Sequence, residues 1–369
     1  MKKSLIALAV LGAFSTIAAA QSSVTLYGRI DENVTYQDPG KSVSGSSGGR
    51  LGKGVVKLND GVVNGFGGSR WGLRGSEDLG DGLRAYFVLE SSISADTGAG
   101  GGATVSGSGF FNRQSYIAIG SKTLGDIRLG RQETITRELD IRVFDASGEN
   151  EMNIVEAVAT NRPLFQNFGT RIDNAASYRS PIIGGFQGIA TIGLSEDLKS
   201  TSTATPPVTS KAAEYHGLGL IFGQGPFNAA VSYEEYAGGV VSGSYNKVAT
   251  VGANYDFGLA TVYAAYQNTS DFGPQLAATT FAKGTDVDAY NVGVKVPYGN
   301  FTFKAQFTGS TIDRTAGLKD LDQYKYGLSA AYALSKRTTA YAAVTARSGD
   351  SSSTFARKNE YVIGLGHNF

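Results

Sequence analysis

The sequence predicts an all-β protein, a 16-stranded antiparallel transmembrane β-barrel with long external loops. Three observations favour this fold. Apolar and polar residues alternate within segments of strand length, sixteen such segments follow one another, and tight turns alternate with long polar connections. Because an even number of antiparallel strands can close into a barrel, the whole sheet is predicted to be one domain.

The composition is that of a chain rich in strands and turns. It contains 50 glycines, 19 tyrosines and 19 phenylalanines but only two methionines. Aromatic residues favour strands, and glycine is common in turns. The mean hydropathy is −0.12, as expected if each strand alternates lipid-facing apolar residues with polar residues that face water. Cysteine is absent, which excludes a disulfide framework and a cysteine-based metal site.

Residues 1–20 are predicted to be a secretory signal peptide. Two lysines precede an apolar run from Leu5 to Ile17, and Ala18–Ala20 supply a small-residue cleavage site. The apolar run is shorter than the ~20 residues that a spanning helix needs. Residues 21–369 are therefore predicted to form the barrel.

The alternation is clearest in the second half of the chain. Phe301, Phe303, Ala305 and Phe307 share one face of a predicted strand, while Thr302, Lys304, Gln306 and Thr308 share the other. One face suits lipid and the other suits water. The sixteen predicted strands begin near residues 24, 69, 83, 112, 125, 174, 185, 213, 226, 246, 259, 287, 301, 323, 336 and 358.

The connections between these strands are alternately short and long. Tight turns are predicted at Gly80–Gly82, Asp256–Gly258 and Pro297–Asn300. In a spanning barrel such turns lie on the periplasmic side and the long loops outside. The long segments are 38–65, 95–109, 133–172, 196–212, 268–286, 311–322 and 348–357.

The last predicted strand ends on an aromatic residue. Tyr361, Ile363, Leu365, His367 and Phe369 share its apolar face. This strand is expected to pair with the first one, because an open sheet edge in lipid would leave backbone groups without partners. Tyr361 and Phe369 are predicted to act as an assembly signal.

Several classes of function are disfavoured by charge and by residue usage. Without Lys2 and Lys3 the acidic residues outnumber the basic ones by one, so nucleic-acid binding is not expected. The two histidines, His216 and His367, fall on the predicted lipid-facing register. With no cysteine and no spaced histidine pair, no transition-metal site, cofactor or catalytic site is expected, and the chain is not predicted to be an enzyme. Weak binding of a divalent cation by loop carboxylates stays open.

Several stretches resemble the general diffusion porins of Gram-negative bacteria, in their neisserial and burkholderial form. The most specific are Ser22–Gly28 and Ser69–Gly80. Further matches are Asn112–Gln114, Leu129–Gln132, Asp173–Asn174, Tyr178–Pro181, Ala333–Thr338 and Gly364–Phe369.

The resemblance implies a homotrimer in the bacterial outer membrane. Each water-filled pore would allow passive diffusion of small hydrophilic solutes and ions with weak selectivity for anions. The partners that it implies are outer-membrane lipid, lipopolysaccharide and the outer-membrane assembly machinery. The third external loop, from Glu133 to about Ile172, would fold into the lumen and narrow the pore.

Strand alternation and the resemblance together predict a basic cluster on the pore wall. If the apolar residues face lipid, then Arg29, Arg70, Arg74, Arg84 and Arg128 face the lumen. The resemblance matches Arg29, Arg74 and Arg131 to the family's basic positions. Arg131 shares the parity of Leu129, so an inward position requires a bulge or the end of the strand at Gly130.

Acidic residues of the third loop are predicted to face this basic cluster. They are Glu133, Glu138, Asp140, Asp145, Glu149, Glu151 and Glu156. The field between the arginines and these carboxylates would orient ions in the pore. The simpler interpretation is that they are solvated loop charges. A substrate-specific channel for small organic anions, a surface adhesin and an outer-membrane enzyme are the alternative functions.

Overall fold

The structure, a computed structural model, describes the chain in twelve ranges. They are residues 23–38, 54–61, 68–100, 109–146, 170–194, 197–198, 210–211, 214–237, 245–272, 285–313, 319–349 and 359–369. The predicted signal peptide lies outside them. Within these ranges no helix has both the length and the apolar character needed to cross a membrane.

The described chain is almost entirely β-structure. The strands are β1 (Ser23–Gln37), β2 (Val55–Asp60), β3 (Arg70–Gly80), β4 (Leu83–Ser94), β5 (Ala99–Gly100), β6 (Gln114–Ser121), β7 (Gly125–Glu133), β8 (Arg171–Arg179), β9 (Phe186–Gly193), β10 (Asp197–Leu198), β11 (Ser210–Lys211), β12 (Glu214–Gln224), β13 (Phe227–Ala237), β14 (Tyr245–Asp256), β15 (Thr261–Phe272), β16 (Thr285–Tyr298), β17 (Phe301–Asp313), β18 (Leu321–Ala333), β19 (Thr338–Gly349) and β20 (Asn359–Asn368). One short helix, α1 (Ile135–Leu139), leads into a π-helical turn at Asp140–Phe144.

Antiparallel pairing of these strands builds a closed barrel with 16 strand positions. The strands β2 and β3 share one position, because β2 pairs with the second half of β1 and β3 pairs with the first half. The two-residue strand β5 only extends the end of β4, and β10 and β11 pair with each other in a separate sheet. The predicted number of barrel strands is thereby confirmed.

The barrel closes between its first and last strands. The register of β1 and β20 runs from Arg29 opposite Asn368 to Gln37 opposite Glu360. Gly28 and Phe369 extend this ladder by exchanging two main-chain hydrogen bonds, of 3.1 and 3.0 Å. Closure leaves no free edge at this seam, which a sheet surrounded by lipid requires.

The barrel carries its apolar residues outside and its polar residues inside. Val24 and Leu26 on β1 are 64% and 58% exposed, whereas Asp31, Asn33 and Thr35 on the other face are buried. The last strand follows the same pattern, with Tyr361, Ile363, Leu365, His367 and Phe369 all exposed, as predicted for the lipid face. Lipid solvates the outer surface, so apolar side chains are stable there while polar ones line the interior.

Each predicted strand begins within three residues of an observed one. The predicted turn at Gly80–Gly82 is also present, and all three of its residues have positive φ, including 52° for Asp81. The main difference is β2, which lies inside the segment 38–65 that was predicted to be a loop. Its six residues follow a Gly/Ser-rich stretch and are too few to display a clear alternation.

Candidate functional site: the barrel interior

The strand register places the first predicted arginines on the inner face. Arg29 lies opposite Arg70, and Arg74 lies opposite Thr25, on the face that also carries the buried Asp31. Directly opposed residues of antiparallel strands share a face. Arg29 forms an ion pair with Asp31, and the hydroxyl of Tyr341 donates to the other carboxylate oxygen at 2.5 Å.

A second group of inward side chains gathers around Glu90 on β4. The Nε atom of Arg113 lies 2.5 Å from Glu90 Oε1, and the Nε atom of Arg70 lies 3.9 Å from Glu90 Oε2. The Tyr27 hydroxyl also donates to this carboxylate, at 3.0 Å. Arg113 was not among the predicted wall arginines, although it falls in the strand predicted to begin near residue 112; the structure begins β6 at Gln114, just after it. Its place in the matched stretch Asn112–Gln114 is the signal that could have identified it.

Three of the predicted arginines, Arg74, Arg84 and Arg128, stack on tyrosine rings. The Cζ atom of Arg74 lies 5.0 Å from the ring centroid of Tyr27, and that of Arg128 lies 5.4 Å from the centroid of Tyr116. Arg128 also donates from Nε to the Tyr86 hydroxyl at 3.1 Å. Such cation–π contacts hold a guanidinium in place without neutralising its charge.

Arg74 and Arg128 differ from the neighbouring arginines in their acidic partners. Arg84 lies 3.5 Å from Asp126, and Arg70 and Arg113 share Glu90. Among the described residues, no carboxylate lies within ion-pair distance of Arg74 or Arg128. Neither Arg74 nor Arg128 is therefore neutralised by a direct ion pair within the described part of the barrel wall.

Arg131 has a different environment from the other predicted wall arginines. It lies opposite Ser115, in the register of the outward-facing Leu129, and the irregularity in the β7–β8 pairing falls between Gly130 and Gln132. Its Nε atom donates to the Asn112 carbonyl at 2.8 Å, and it forms an ion pair with Asp173. An irregularity of the kind that an inward Arg131 requires is therefore present, while an inward role for Arg131 stays a prediction.

The start of the predicted third loop packs against the inner wall. Ile135, Leu139, Val143 and Phe144 form an apolar cluster with inward residues of β9, β12, β13, β15 and β16. Glycines on the wall allow this close approach, since a Cβ atom at Gly219 would lie only 2.6 Å from Ile135 Cγ2. Residues 147–169, the middle of the predicted loop, lie outside the described residues.

The described loop carboxylates all lie next to arginines or inside the packed segment. Glu133 lies 3.5 Å from Arg171, and Asp140 lies 3.7 Å from Arg137. Asp145 is buried, and its main-chain nitrogen donates to the Asp140 carbonyl. The predicted acidic residues Glu149, Glu151 and Glu156 fall outside the described residues.

Glu138 is the loop carboxylate that reaches across to the barrel wall. It forms an ion pair with Arg179 on β8, and Arg142 lies 3.1 Å away on the loop itself. Burial opposes ionisation of this carboxyl, but Arg179, Arg128 and Arg142 outweigh that effect and hold the pKa of Glu138 below its ordinary value. Arg179 was missed as a site residue, although it alternates with the inward Ala175 and Ser177 on β8.

The two histidines of the chain lie outside the barrel interior. His216 and His367 are exposed on the outward register, as predicted. Across the described ranges, no three histidines, cysteines or carboxylates are grouped so that they could hold a metal ion. What the interior offers is a wall of fixed positive charges facing a carboxylate-bearing segment.

Comparison with known proteins adds to this geometry. Residues 7–352 match the sequence family described as Gram-negative porin. The chain is 30% identical to an outer membrane porin protein of Bordetella pertussis over 100% of both chains. It is 35% identical to "Outer membrane porin protein 32" of Delftia acidovorans, over 92% of this chain and 88% of that protein. Among solved structures, the "Anion-selective porin from Comamonas acidovorans" superposes with a TM-score of 0.66 at 25% identity, over 95% of this chain and 100% of that one.

Proposed function

The chain belongs to the Gram-negative porins, barrels of the bacterial outer membrane, and on this basis we propose that it is a passive, weakly anion-selective pore. Small hydrophilic solutes and ions diffuse through its water-filled lumen. The observation that carries the proposal is the pair of lumenal arginines, Arg74 and Arg128, that lie on tyrosine rings without a carboxylate in ion-pair distance among the described residues.

The sign of the selectivity follows from which charges are compensated. Glu90 is shared by Arg70 and Arg113, and Asp126 lies beside Arg84, so carboxylates offset part of the positive charge of these three arginines. Arg74 and Arg128 form no ion pair with the described wall, although Arg128 also acts on the loop carboxylate Glu138. Fixed charges of one sign in a narrow pore admit counter-ions and repel co-ions. The similarity to an anion-selective porin supports the same sign.

The third loop is the element that we propose to narrow the pore. Its first part, residues 134–146, packs on the inner wall, and Glu138 of this segment bonds to the wall arginine Arg179. A carboxylate-bearing segment beside a basic wall creates a transverse field through which a passing ion must move. The family resemblance supports the same role for the remainder of the loop.

The outer surface accounts for the proposed partners. Its exposed apolar residues suit outer-membrane lipid, with lipopolysaccharide beyond them, and trimer formation would cover part of the same surface. The exposed Tyr361 and Phe369 at the barrel seam are proposed as the signal that the outer-membrane assembly machinery recognises. We assign transport and no catalysis to the chain, because its two histidines lie outside the lumen.

Planar-bilayer recording of refolded residues 21–369 under a salt gradient tests the proposal. A homotrimeric anion-selective pore gives conductance steps in groups of three and a zero-current potential that favours anions. A potential that favours cations would contradict the assigned selectivity and retain the pore. Correctly folded protein without conductance would contradict the transport function. Saturation of the current by a small organic anion would instead favour the substrate-specific channel.

A further inference from the structure

Two inward side chains bind the start of the lumenal segment 135–144. The hydroxyl of Tyr215 on β12 accepts a hydrogen bond from the main-chain nitrogen of Ile135, at 3.1 Å. Glu234 on β13 accepts one from the main-chain nitrogen of Thr136, at 3.1 Å. It also accepts hydrogen bonds from the hydroxyls of Thr136 and Tyr215. The first turn of α1 is therefore held by one carboxylate.

Two asparagines bind the end of the same segment. Asn254 on β14 donates from Nδ2 to the Val143 carbonyl at 3.0 Å, and Asn291 on β16 donates to the Phe144 carbonyl at 2.6 Å. The amide oxygen of Asn291 accepts from Gln306 in turn, at 2.8 Å. Both asparagines are buried. Their donors satisfy carbonyls at the end of the π-helical turn that have no further helical turn to bond to.

These four wall residues, Tyr215, Glu234, Asn254 and Asn291, form what we call the docking row. They lie on the inner face of the wall between β12 and β16, so the segment is bound at both of its ends. Each residue of the row forms a hydrogen bond with a main-chain atom of the segment. Tyr215 and Glu234 also form a hydrogen bond with each other. The docking therefore depends mainly on the path of the backbone and only weakly on the loop side chains.

Glu234 differs from the rest of the docking row because it binds the segment through a carboxylate. It is 1% exposed and accepts hydrogen bonds from the segment and from Tyr215. Hydrogen bonds to a carboxylate are shorter and stronger than those between neutral groups. If the segment left the wall, both hydrogen bonds between Thr136 and Glu234 would be lost. Separation of the segment from the wall is thereby opposed.

We propose that the docking row sets the open cross-section of the pore, and that Glu234 is its principal positioning residue. The inference rests on the proposed pore function and assigns the position of the lumenal segment to particular wall residues. Without the carboxylate, the segment can leave the wall and enter the path of the ions. The consequence is intermittent obstruction of an otherwise unchanged pore.

Glu234→Gln tests the proposal with a matched control one residue away. Glutamine keeps the size of the side chain but brings an NH₂ group toward the Tyr215 and Thr136 donors. We expect several-fold more closing events and current noise in single-channel records, with folded yield unchanged. Glu235→Gln is the control, since Glu235 points outward and accepts a hydrogen bond from Tyr233. If Glu234→Gln is as quiet as Glu235→Gln, the proposal is wrong.

A reversible cross-link separates positioning from a direct effect of the lost charge. The chain has no cysteine, and the hydroxyls of Thr136 and Ser232 are 2.8 Å apart. In a Glu234→Gln background, Thr136→Cys with Ser232→Cys should give quiet channels when oxidised and noisy ones when reduced. Noise that persists after oxidation would overturn the positioning role.

A milder variant covers the possibility that Glu234→Gln fails to fold. Tyr215→Phe removes a single hydroxyl from the docking row and should raise the closing rate by a smaller factor. If the wild type conducts and Tyr215→Phe behaves identically to it, the role of the row is contradicted while the pore function stands. A folded wild type that does not conduct would overturn the pore function and this inference together.

Discussion

Arg179 and Glu138 form a two-pronged ion pair that joins the barrel wall to the lumenal segment. Both terminal nitrogens of Arg179 donate to the Glu138 carboxylate, one to each oxygen. The two residues lie 41 positions apart in the sequence. A bidentate pair of this kind fixes the direction of both side chains as well as their distance. It attaches α1 to β8. Strand β9 lies between β8 and β12, the first strand of the docking row.

The pH dependence of the pore should follow the charge of Glu138. The pKa of Glu138 in the folded protein lies below its ordinary value. The ion pair therefore stabilises docking fully at pH values above the ordinary pKa, and this stabilisation is lost as the pH falls through the lowered pKa. We expect ion selectivity and current noise to stay constant from neutral pH down to about pH 4, the ordinary range of a glutamate, and to change only below it. Single-channel recording over a pH series measures this.

Removal of Arg179 should shift the pH at which selectivity and current noise change. In Arg179→Gln the attraction is lost while burial still opposes the charge, so the pKa of Glu138 rises and the change occurs at higher pH. Arg84→Gln removes an arginine from the same wall that bonds to Asp126 instead, and it serves as the control. A transition at the same pH in both variants would show that the Arg179–Glu138 pair does not govern it.

Selectivity should depend more on Arg128 than on Arg84. Arg128 has only tyrosine partners in the described wall, whereas Arg84 has Asp126 at 3.5 Å. The interaction energy between a unit charge and a passing ion ~4 Å away is about 1 kcal/mol in water. Arg128→Ala should therefore lower the anion-to-cation permeability ratio several-fold, and Arg84→Ala should lower it much less. Equal effects in zero-current potentials would contradict the assignment of compensated and uncompensated charges.

Barrel closure should be sensitive to both residues of the terminal pair. Deletion of Phe369 removes the two main-chain bonds to Gly28, so folded and trimeric protein should decrease strongly. Gly28→Val should have a similar effect, because a Cβ atom there would lie 2.6 Å from the Arg70 carbonyl oxygen. Gly100→Val is the control, since space around Gly100 is open. Heat-modifiable mobility in gels reports the folded fraction, and normal mobility of both variants would disprove the prediction.

A charge on the outer face should destabilise the barrel. Val251 lies near the middle of β14 and is 51% exposed on the lipid side. Val251→Arg should lower the free energy of unfolding in lipid vesicles by about 2–4 kcal/mol if the position is near the bilayer midplane. Val251→Leu, which keeps the side chain apolar, should change it little. Equal stability of the two variants would place this face away from lipid.

The sequence could predict the strands because their physics is local. The direction of the side chains repeats every two residues along a strand. This periodicity placed Arg29, Arg70, Arg74 and Arg128 on the inner face, as the structure has them. The rule stops at irregularities. Gly130 has a φ of 129°, and the pairing shifts just after it, so parity could not settle the direction of Arg131.

Contacts between the lumenal segment and the wall could not be predicted in this way. Nothing near Glu234 in the sequence indicates that Thr136, 98 residues earlier, is its partner. The same applies to Asn254 and Val143, which are 111 residues apart. Such pairs depend on the closed curvature of the barrel, which brings distant strands around one segment. The proposed functional roles of the arginines and loop carboxylates remain predictions for the measurements above.

The seam between β1 and β20 has a kinetic consequence. Its pairs are extremely non-local, since the side-chain bond between Gln37 and Glu360 joins residues 323 positions apart. The entropy of closing so large a loop grows only with the logarithm of its length, so the thermodynamic burden is modest. Folding rates fall steeply with such contact distances. Until the two ends meet, both terminal strands expose unpaired edges. The chain is therefore most prone to aggregation while this incompletely closed intermediate persists.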